Sequence, residues 1–275
     1  MTHQSAMMKM LATALTLACA SALPLQASDT FTVPITGQIL EGWQQPDGTR
    51  VAAIKLTLAP GWKTYWRAPG DAGIPPSFDW SGSDNLRAVG ITWPRPEVFA
   101  TAGMRTIGYS DQVVLPLALA PHTAGAPMTL ALDLELGVCS DICVPHQMQL
   151  NLELRSTNGK PTAAIAGALA SRPLSAKEAG VRGATCSLRP TEAGFEITAR
   201  LDMSSAGRGE VVIIEPGQSG MWMSETDVTR NGNSLIAVGE MIPGAGTTMA
   251  LDRSAIRFTV LGSKHAVDIK GCTAG

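Results

Sequence analysis

The sequence predicts an all-β protein: an immunoglobulin-like β-sandwich followed by a second small β domain. Three observations carry that expectation. The first is the stretch Leu130 to Leu154. There Leu130, Leu132, Leu134, Leu136 and Val138 alternate with smaller or acidic residues, and Met148, Leu150, Leu152 and Leu154 alternate with Gln147, Gln149, Asn151 and Glu153. Period-two alternation on both sides of a short polar break is the pattern of two strands that each bury one face. The second is composition, since 28 glycines and 18 prolines against 5% aromatic residues suit a turn-rich β protein better than a helical bundle. The third is a run of short strand-like pieces separated by turn residues at regular spacing, as in a sandwich. A length of 275 residues favours two domains, and 45% hydrophobic content is enough for real cores. A net charge of −2 argues against a nucleic-acid or anionic-membrane partner, neither of which a nearly neutral surface would attract.

Residues 1–27 read as a secretory signal. His3 and Lys9 give a weakly basic start, Met10 to Ala22 is a short uncharged apolar run, and cleavage points follow Ala22 or Ala27. The run is shorter than the roughly 20 residues that span a bilayer, and no later segment is long and apolar enough to do so. A soluble exported protein is therefore expected.

The first domain is expected over residues 28–157. Phe31 to Leu40 and Arg50 to Leu58 are strand-like pieces separated by the polar turn Gln44 to Gly48, and Ile54, Leu56 and Leu58 alternate with Lys55 and Thr57. The segment Pro60 to Pro76 concentrates Trp62, Tyr65 and Trp66 beside Lys63 and Arg67, then breaks into proline and glycine. Large rings are usually core, which is the reading for Trp80 and Trp93; for Trp62, Tyr65 and Trp66, core and rim stay open. Ser77 to Trp80, Ala88 to Trp93 and Val113 to Leu119 read as strands, and Glu97 to Gly103 as a loop carrying Phe99. Residues 158–181 form the domain boundary, with a short Ala-rich helix at Ala163 to Ala170 and a helical turn at Ser175 to Glu178. The second domain, 182–275, has strand-like pieces at Phe195 to Leu201, Glu210 to Glu215 and Ser234 to Val238. Others follow at Thr248 to Leu251, Ala255 to Leu261 and Ala266 to Ile269, with glycine-rich turns between.

Beyond the signal lie four cysteines: Cys139, Cys143, Cys186 and Cys272. An even number in an exported chain points to disulfides, with three possible pairings. Spacing favours Cys139 with Cys143 and Cys186 with Cys272. Loop entropy assigns about 2 kcal/mol to the short loop and about 4.6 kcal/mol to the long one, so the long one suits a structural staple and the short one leaves room for chemistry.

Cys139 and Cys143 sit at the neck of the expected hairpin, which brings α-carbons within the roughly 4.4–6.8 Å a disulfide requires. Exchange needs one sulfur accessible to a partner and a second close enough to resolve the mixed disulfide. No helix dipole is expected to activate either thiol, Asp141 between them disfavours a thiolate, and His146 is the nearby candidate cation. Two other readings stay open. Cys139, Cys143 and His146 could ligate Cu(I), with Met221, Met223, Met241 and Met249 as thioether candidates, although methionine is more often a gap-filler. Alternatively both disulfides are structural, and the chain is a binding module that uses its aromatic-rich segment as a contact surface.

Three motifs in order carry a resemblance to a known family. Gly61-Trp-Lys-Thr-Tyr-Trp-Arg-Ala-Pro-Gly-Asp-Ala-Gly73, Ile107-Gly-Tyr-Ser-Asp111 and Val138-Cys-Ser-Asp-Ile-Cys-Val-Pro145 together resemble the N-terminal periplasmic region of DsbD-type thiol–disulfide interchange proteins, nearest the ScsB-like branch associated with copper tolerance. The likeness is strong over about Trp43 to Leu154 and weaker over Cys186 to Cys272. It implies an immunoglobulin-like domain that takes electrons from a thioredoxin-like domain and reduces periplasmic partners such as disulfide isomerases, with no cofactor and no metal. It also implies that Cys143 forms the mixed disulfide, that Cys139 resolves it, and that Phe99 occupies the family's cap loop. Full-length members continue into a membrane electron-transfer domain and a thioredoxin-like domain, which this sequence does not contain. The expectation is that a separate membrane electron-transfer protein supplies the electrons, the alternative being a chain that kept the fold and lost the pathway.

Overall fold

Ten strands precede the helix: β1 (Ile35–Gln44), β2 (Arg50–Leu58), β3 (Lys63–Gly70), β4 (Ser77–Asp79), β5 (Leu86–Ile91), β6 (Glu97–Thr101), β7 (Met104–Ser110), β8 (Gln112–Pro121), β9 (Met128–Cys139) and β10 (Cys143–Leu154). The structure, a computed structural model, describes residues 34–101, 103–154, 159–247 and 251–275. The signal expected over 1–27 lies outside them, as do Met249 and most of the strand expected over Thr248 to Leu251.

These strands form two facing sheets, one in the order β1-β2-β8-β5 and one in the order β10-β9-β3-β7-β6 with β4 also paired to β9. Alternation dictates the core between them. Ile54, Leu56 and Leu58 of β2 meet Leu130, Leu132, Leu134, Leu136 and Val138 of β9 across it. The other face of β2, with Val51 and Ala53, is covered by α1 (Ala163–Ala170) through Ile165 and Ala168. Thr162 caps that helix, its hydroxyl accepting the Ile165 amide at 3.3 Å.

After the helix come β11 (Leu174–Ser175), β12 (Gly183–Pro190), β13 (Phe195–Asp202), β14 (Val211–Glu215), β15 (Met221–Met223), β16 (Asp227–Asn231), β17 (Ser234–Pro243), β18 (Arg257–Leu261), β19 (Ala266–Lys270) and β20 (Thr273–Ala274). They form a second pair of sheets, β11-β19-β18-β14 and β15-β17-β13-β12-β20, with β16 also on β17. Their core holds Ile197, Leu201, Ile214, Phe258 and Val260. The architecture is all-β, as expected: an immunoglobulin-like sandwich followed by a second β-sandwich.

The segment 158–181 is not a free tether. Its helix packs on the first sandwich, and β11 at its end adds a parallel strand to β19 of the second. The two sandwiches also share apolar surface, since Leu261, Ala266, Val211 and Ile213 join the core of the first. Arg67 of β3 makes two 2.9 Å hydrogen bonds to the Glu215 carboxylate of β14, and Arg105 of β7 pairs with Glu225 at 3.4 Å.

One local expectation is corrected and two segments gain definition. Lys63–Gly70, whose strand character its proline and glycine flanks conceal, is a central strand. Glu97 to Gly103, expected as a loop, lies in the β6–β7 hairpin, where Phe99 stands opposite Thr106. The edge strand β6 is largely exposed, so no buried face imprints alternation on its sequence. Ser175 to Glu178 forms one turn, closed by the Ala179 amide on the Ser175 carbonyl at 3.0 Å, with the Glu178 carboxylate accepting the Ser175 amide at 2.7 Å. Among the rings, Trp80 and Trp93 pack against the first core from its rim, and Trp66 is the one fully enclosed within it.

Cys186 is bonded to Cys272, 86 residues on, with α-carbons 5.8 Å apart. Replacing both by alanine is expected to cost about 4–5 kcal/mol in urea-unfolding free energy, roughly twice the cost of breaking Cys139–Cys143. Equal losses from the two bonds would contradict this assignment.

Candidate functional site

β9 and β10 pair without a register break, and their first rung is Cys139 opposite Cys143. Ser140, Asp141 and Ile142 close the turn, with the Ser140 amide donating to the Ile142 carbonyl at 3.0 Å. The two α-carbons stand 4.1 Å apart and the sulfurs are bonded. Alternation then sorts the neighbours: Val138 and Val144 face the core, and the cysteines face outward one residue further along.

The cysteines are unequal. Cys139 is completely buried, whereas Cys143 is exposed and follows Ile142, which is 59% exposed. An incoming thiolate therefore meets Cys143 first.

β3 supplies the groups around the sulfurs. Its first rung against β9 sets Lys63 opposite Cys139 and Thr64 opposite Val138, and the Thr64 hydroxyl donates to the Gly137 carbonyl at 2.9 Å. Tyr65 is buried on the same outer face. Its hydroxyl donates to Cys139 Sγ at 2.8 Å and lies 3.3 Å from Cys143 Sγ. Burial pushes the Tyr65 phenol up, which keeps it a proton-bearing donor at neutral pH. Two glycines make room for the ring. A Cβ at Gly137 would lie 3.0 Å from the ring and 2.7 Å from Ile74, and one at Gly73 would lie 2.9 Å from the ring's opposite edge.

Lys63 is the cation that the sequence did not single out. Its ammonium lies 5.1 Å from the centre of the Phe99 ring and 3.4 Å from the Thr106 hydroxyl, and burial pushes its pKa down. Phe99, Lys63, Trp62, Ser140 and Asp141 line a groove of about 830 Å³ beside the cysteine turn. Val98, 42% exposed, adds an apolar rim. His146, named from the sequence as the nearby cation, stands opposite Leu136 on β9 and so occupies the strand face opposite the cysteines.

The methionines do not gather at the sulfurs. Met221 and Met223 lie on β15 of the second sandwich, and Met241, opposite Met223, is fully buried in its core. Among the described residues no three His, Cys, Asp or Glu side chains form a metal cluster. Nor is any helix there long and apolar enough to cross a membrane.

Chemically, the arrangement suits cleavage of the disulfide from the Cys143 side. A thiolate attacking Cys143 Sγ expels Cys139 as a thiolate, on which the Tyr65 hydroxyl is already trained. Stabilising the leaving sulfur speeds exchange. The sequence signal that could have found Tyr65 is its place in the Gly61-to-Gly73 motif, between glycines that a packed strand would otherwise avoid.

Residues 36–154 match the family described as thiol:disulfide interchange protein DsbD, N-terminal. Among solved structures, the N-terminal periplasmic domain of ScsB from Proteus mirabilis is similar at a TM-score of 0.65 and 23% identity, over 88% of this chain and 92% of that one. No curated protein matches the chain by sequence.

Tyr65→Phe removes the donor and keeps the ring. Reduction of the Cys139–Cys143 bond by dithiothreitol is expected to slow about tenfold, since hydrogen bonds to charged groups contribute roughly 1.5–3 kcal/mol. An unchanged rate in stopped-flow measurements would remove Tyr65 from the chemistry.

Proposed function

We propose, taking residues 36–154 as a domain of the DsbD N-terminal family, that the protein passes electrons between partner proteins by thiol–disulfide exchange at Cys139 and Cys143. The observation that carries this reading is the asymmetry of the pair. One sulfur is exposed at a turn; the other is buried under a tyrosine hydroxyl.

In the reducing direction, the Cys143 thiolate attacks a partner disulfide, forming a mixed disulfide and releasing the partner's other sulfur as a thiolate that takes up a proton. The Cys139 thiolate then attacks Cys143 Sγ, restores the Cys139–Cys143 bond and frees the partner's second sulfur. Two electrons pass to the partner, and two protons complete its thiols. Recharging runs the same steps backwards from a reduced donor. Neither half requires a cofactor or a metal.

The apolar rim of Val98, Phe99 and Ile142 around an exposed sulfur suits docking of a thioredoxin-like protein or a disulfide isomerase, and Phe99 on the β6–β7 hairpin suits a cover that such a partner displaces. The location that fits this chemistry is the periplasm, where a separate membrane electron-transfer protein would supply the electrons. The rival reading, a binding module with two structural disulfides, differs in one measurable property. Inert structural bonds have reduction potentials below about −300 mV, and an exchange pair lies above that value.

Trapping tests the assigned roles. Cys139→Ser should accumulate a stable mixed disulfide through Cys143 when mixed with an oxidised thioredoxin-like protein, and Cys143→Ser should not. Capture through both variants alike would sink the assignment. Phe99→Ala should speed reduction of the bond by dithiothreitol about threefold to tenfold, because access limits exchange at shielded sulfurs. No acceleration would remove Phe99 as a cover.

A further inference from the structure

The second sandwich leaves two strands unpaired on one side, and both face the same cleft. β14 ends its sheet and β15 ends the other. Between them and the β3 and β7 strands of the first sandwich lies a cleft of about 520 Å³, within the usual range of binding sites.

The direction of the backbone groups follows from the ladders. The Gly262 amide bonds the His265 carbonyl at 3.1 Å and the Gly271 amide bonds the Ile256 carbonyl at 2.7 Å, so residues 256, 258, 260 and 262 face β19. Arg257, Thr259 and Leu261 then face β14, where they pair with Glu215, Ile213 and Val211. Val212 and Ile214 consequently point their amides and carbonyls away from the sheet. The Thr226 hydroxyl takes the Val212 carbonyl at 2.6 Å. The β18 ladder does not engage the Val212 amide or either backbone group of Ile214, a residue 2% exposed.

β15 mirrors this. The Gly244 amide bonds the Gly220 carbonyl at 2.8 Å and the Ser224 amide bonds the Glu240 carbonyl at 2.9 Å, which turns Trp222 towards β17 and the backbones of Met221 and Met223 outward. The Trp222 side chain remains 45% exposed at the cleft. Five charged side chains line the cleft, and four are committed to two pairs, Arg67 with Glu215 and Arg105 with Glu225. Among the described residues Asp71 has no ion-pair partner. Burial, then the Glu225 carboxylate, pushes its carboxyl up against a smaller opposing pull from Arg105, a net penalty that a bound cation would relieve.

We propose that this cleft is a second binding site, separate from the cysteine turn, that takes an extended segment of a partner polypeptide as an added β-strand, with a lysine or arginine of that segment against Asp71 and Trp222. Unpaired edge groups supply the main-chain bonds of such strand addition. The exposed indole supplies a face for the cation's stem, and Asp71 supplies the matching charge.

The test selects short random-sequence peptides on the immobilised full-length protein with both disulfides intact. Selected peptides are expected to carry a basic residue among alternating apolar ones, and to slow hydrogen exchange at the Ile214 and Met223 amides. Asp71→Asn should weaken their binding about fivefold, and Trp222→Ala about tenfold. Both side chains are exposed, and circular dichroism checks that the variants fold. N-methylation of alternate peptide amides should abolish binding. The proposal is overturned if no peptide is enriched, if the enriched peptides bind both variants as tightly as the parent, or if they leave exchange at Ile214 and Met223 unchanged.

Discussion

The cross-strand rung that joins Cys139 to Cys143 fixes where every other group of the site must stand. It is the last rung of the longest ladder in the first sandwich, and that ladder is set by leucines. Leu130, Leu132, Leu134 and Leu136 bury one face of β9 completely or nearly so. A slip of one residue would turn them out to solvent and the cysteines into the core, so the hydrophobic pattern many residues away holds the sulfurs in register. The sulfurs are thus positioned by packing rather than by their own bond. Breaking that bond returns little conformational entropy to the unfolded chain, and the hairpin that presents it has independent support.

β3 distributes three consecutive residues to three tasks. Tyr65 faces outward to the sulfurs, Trp66 faces inward to fill the core, and Arg67 faces outward again to reach Glu215 and Thr259 of the second sandwich. The Arg67 guanidinium also lies 3.9 Å from the Trp66 ring centre. Strand alternation makes this economical, since one backbone placed by one buried indole aims both of its neighbours. It also ties the second sandwich to the strand that carries the tyrosine donor. Arg105 does the same for the hairpin that carries Phe99, because it stands opposite Ala100 and is held by Glu225.

Legibility from sequence followed burial. β2 and the β9–β10 pair were readable because a half-buried strand writes period two into its residues, and α1 was readable from its alanines. β3 was hidden by the proline and glycine around it, and β6 by its exposure on an edge. The cysteine pair was named from its motif. Tyr65 could not be assigned to core or rim because it belongs to both: its ring is buried, and its hydroxyl ends on sulfur. Lys63 was passed over in favour of His146 because sequence proximity was read as spatial proximity. Registry across β3 and β9 brings residues 76 positions apart onto one rung, and three positions along a strand turn His146 away.

In the proposed function the two disulfides divide between holding and acting, and the physical reason is where each chain loop closes. Cys186 on β12 and Cys272 just before β20 lie near the two ends of the second sandwich in sequence, so the closed loop is long, and Cys186 is sealed in the core. Nothing can attack that sulfur without opening the sandwich. Cys139 is sealed just as well, yet its partner sits on a three-residue turn in solvent. Attack at Cys143 needs no unfolding, and the electrons arrive at the buried sulfur through the bond itself. A buried leaving group with a fixed donor then regains its bond more readily than it meets solvent or a stray oxidant. In the exchange proposed for this pair, burial of one sulfur and exposure of the other make it both reachable and protected, and the Tyr65 hydroxyl is placed to stabilise the buried sulfur as it leaves.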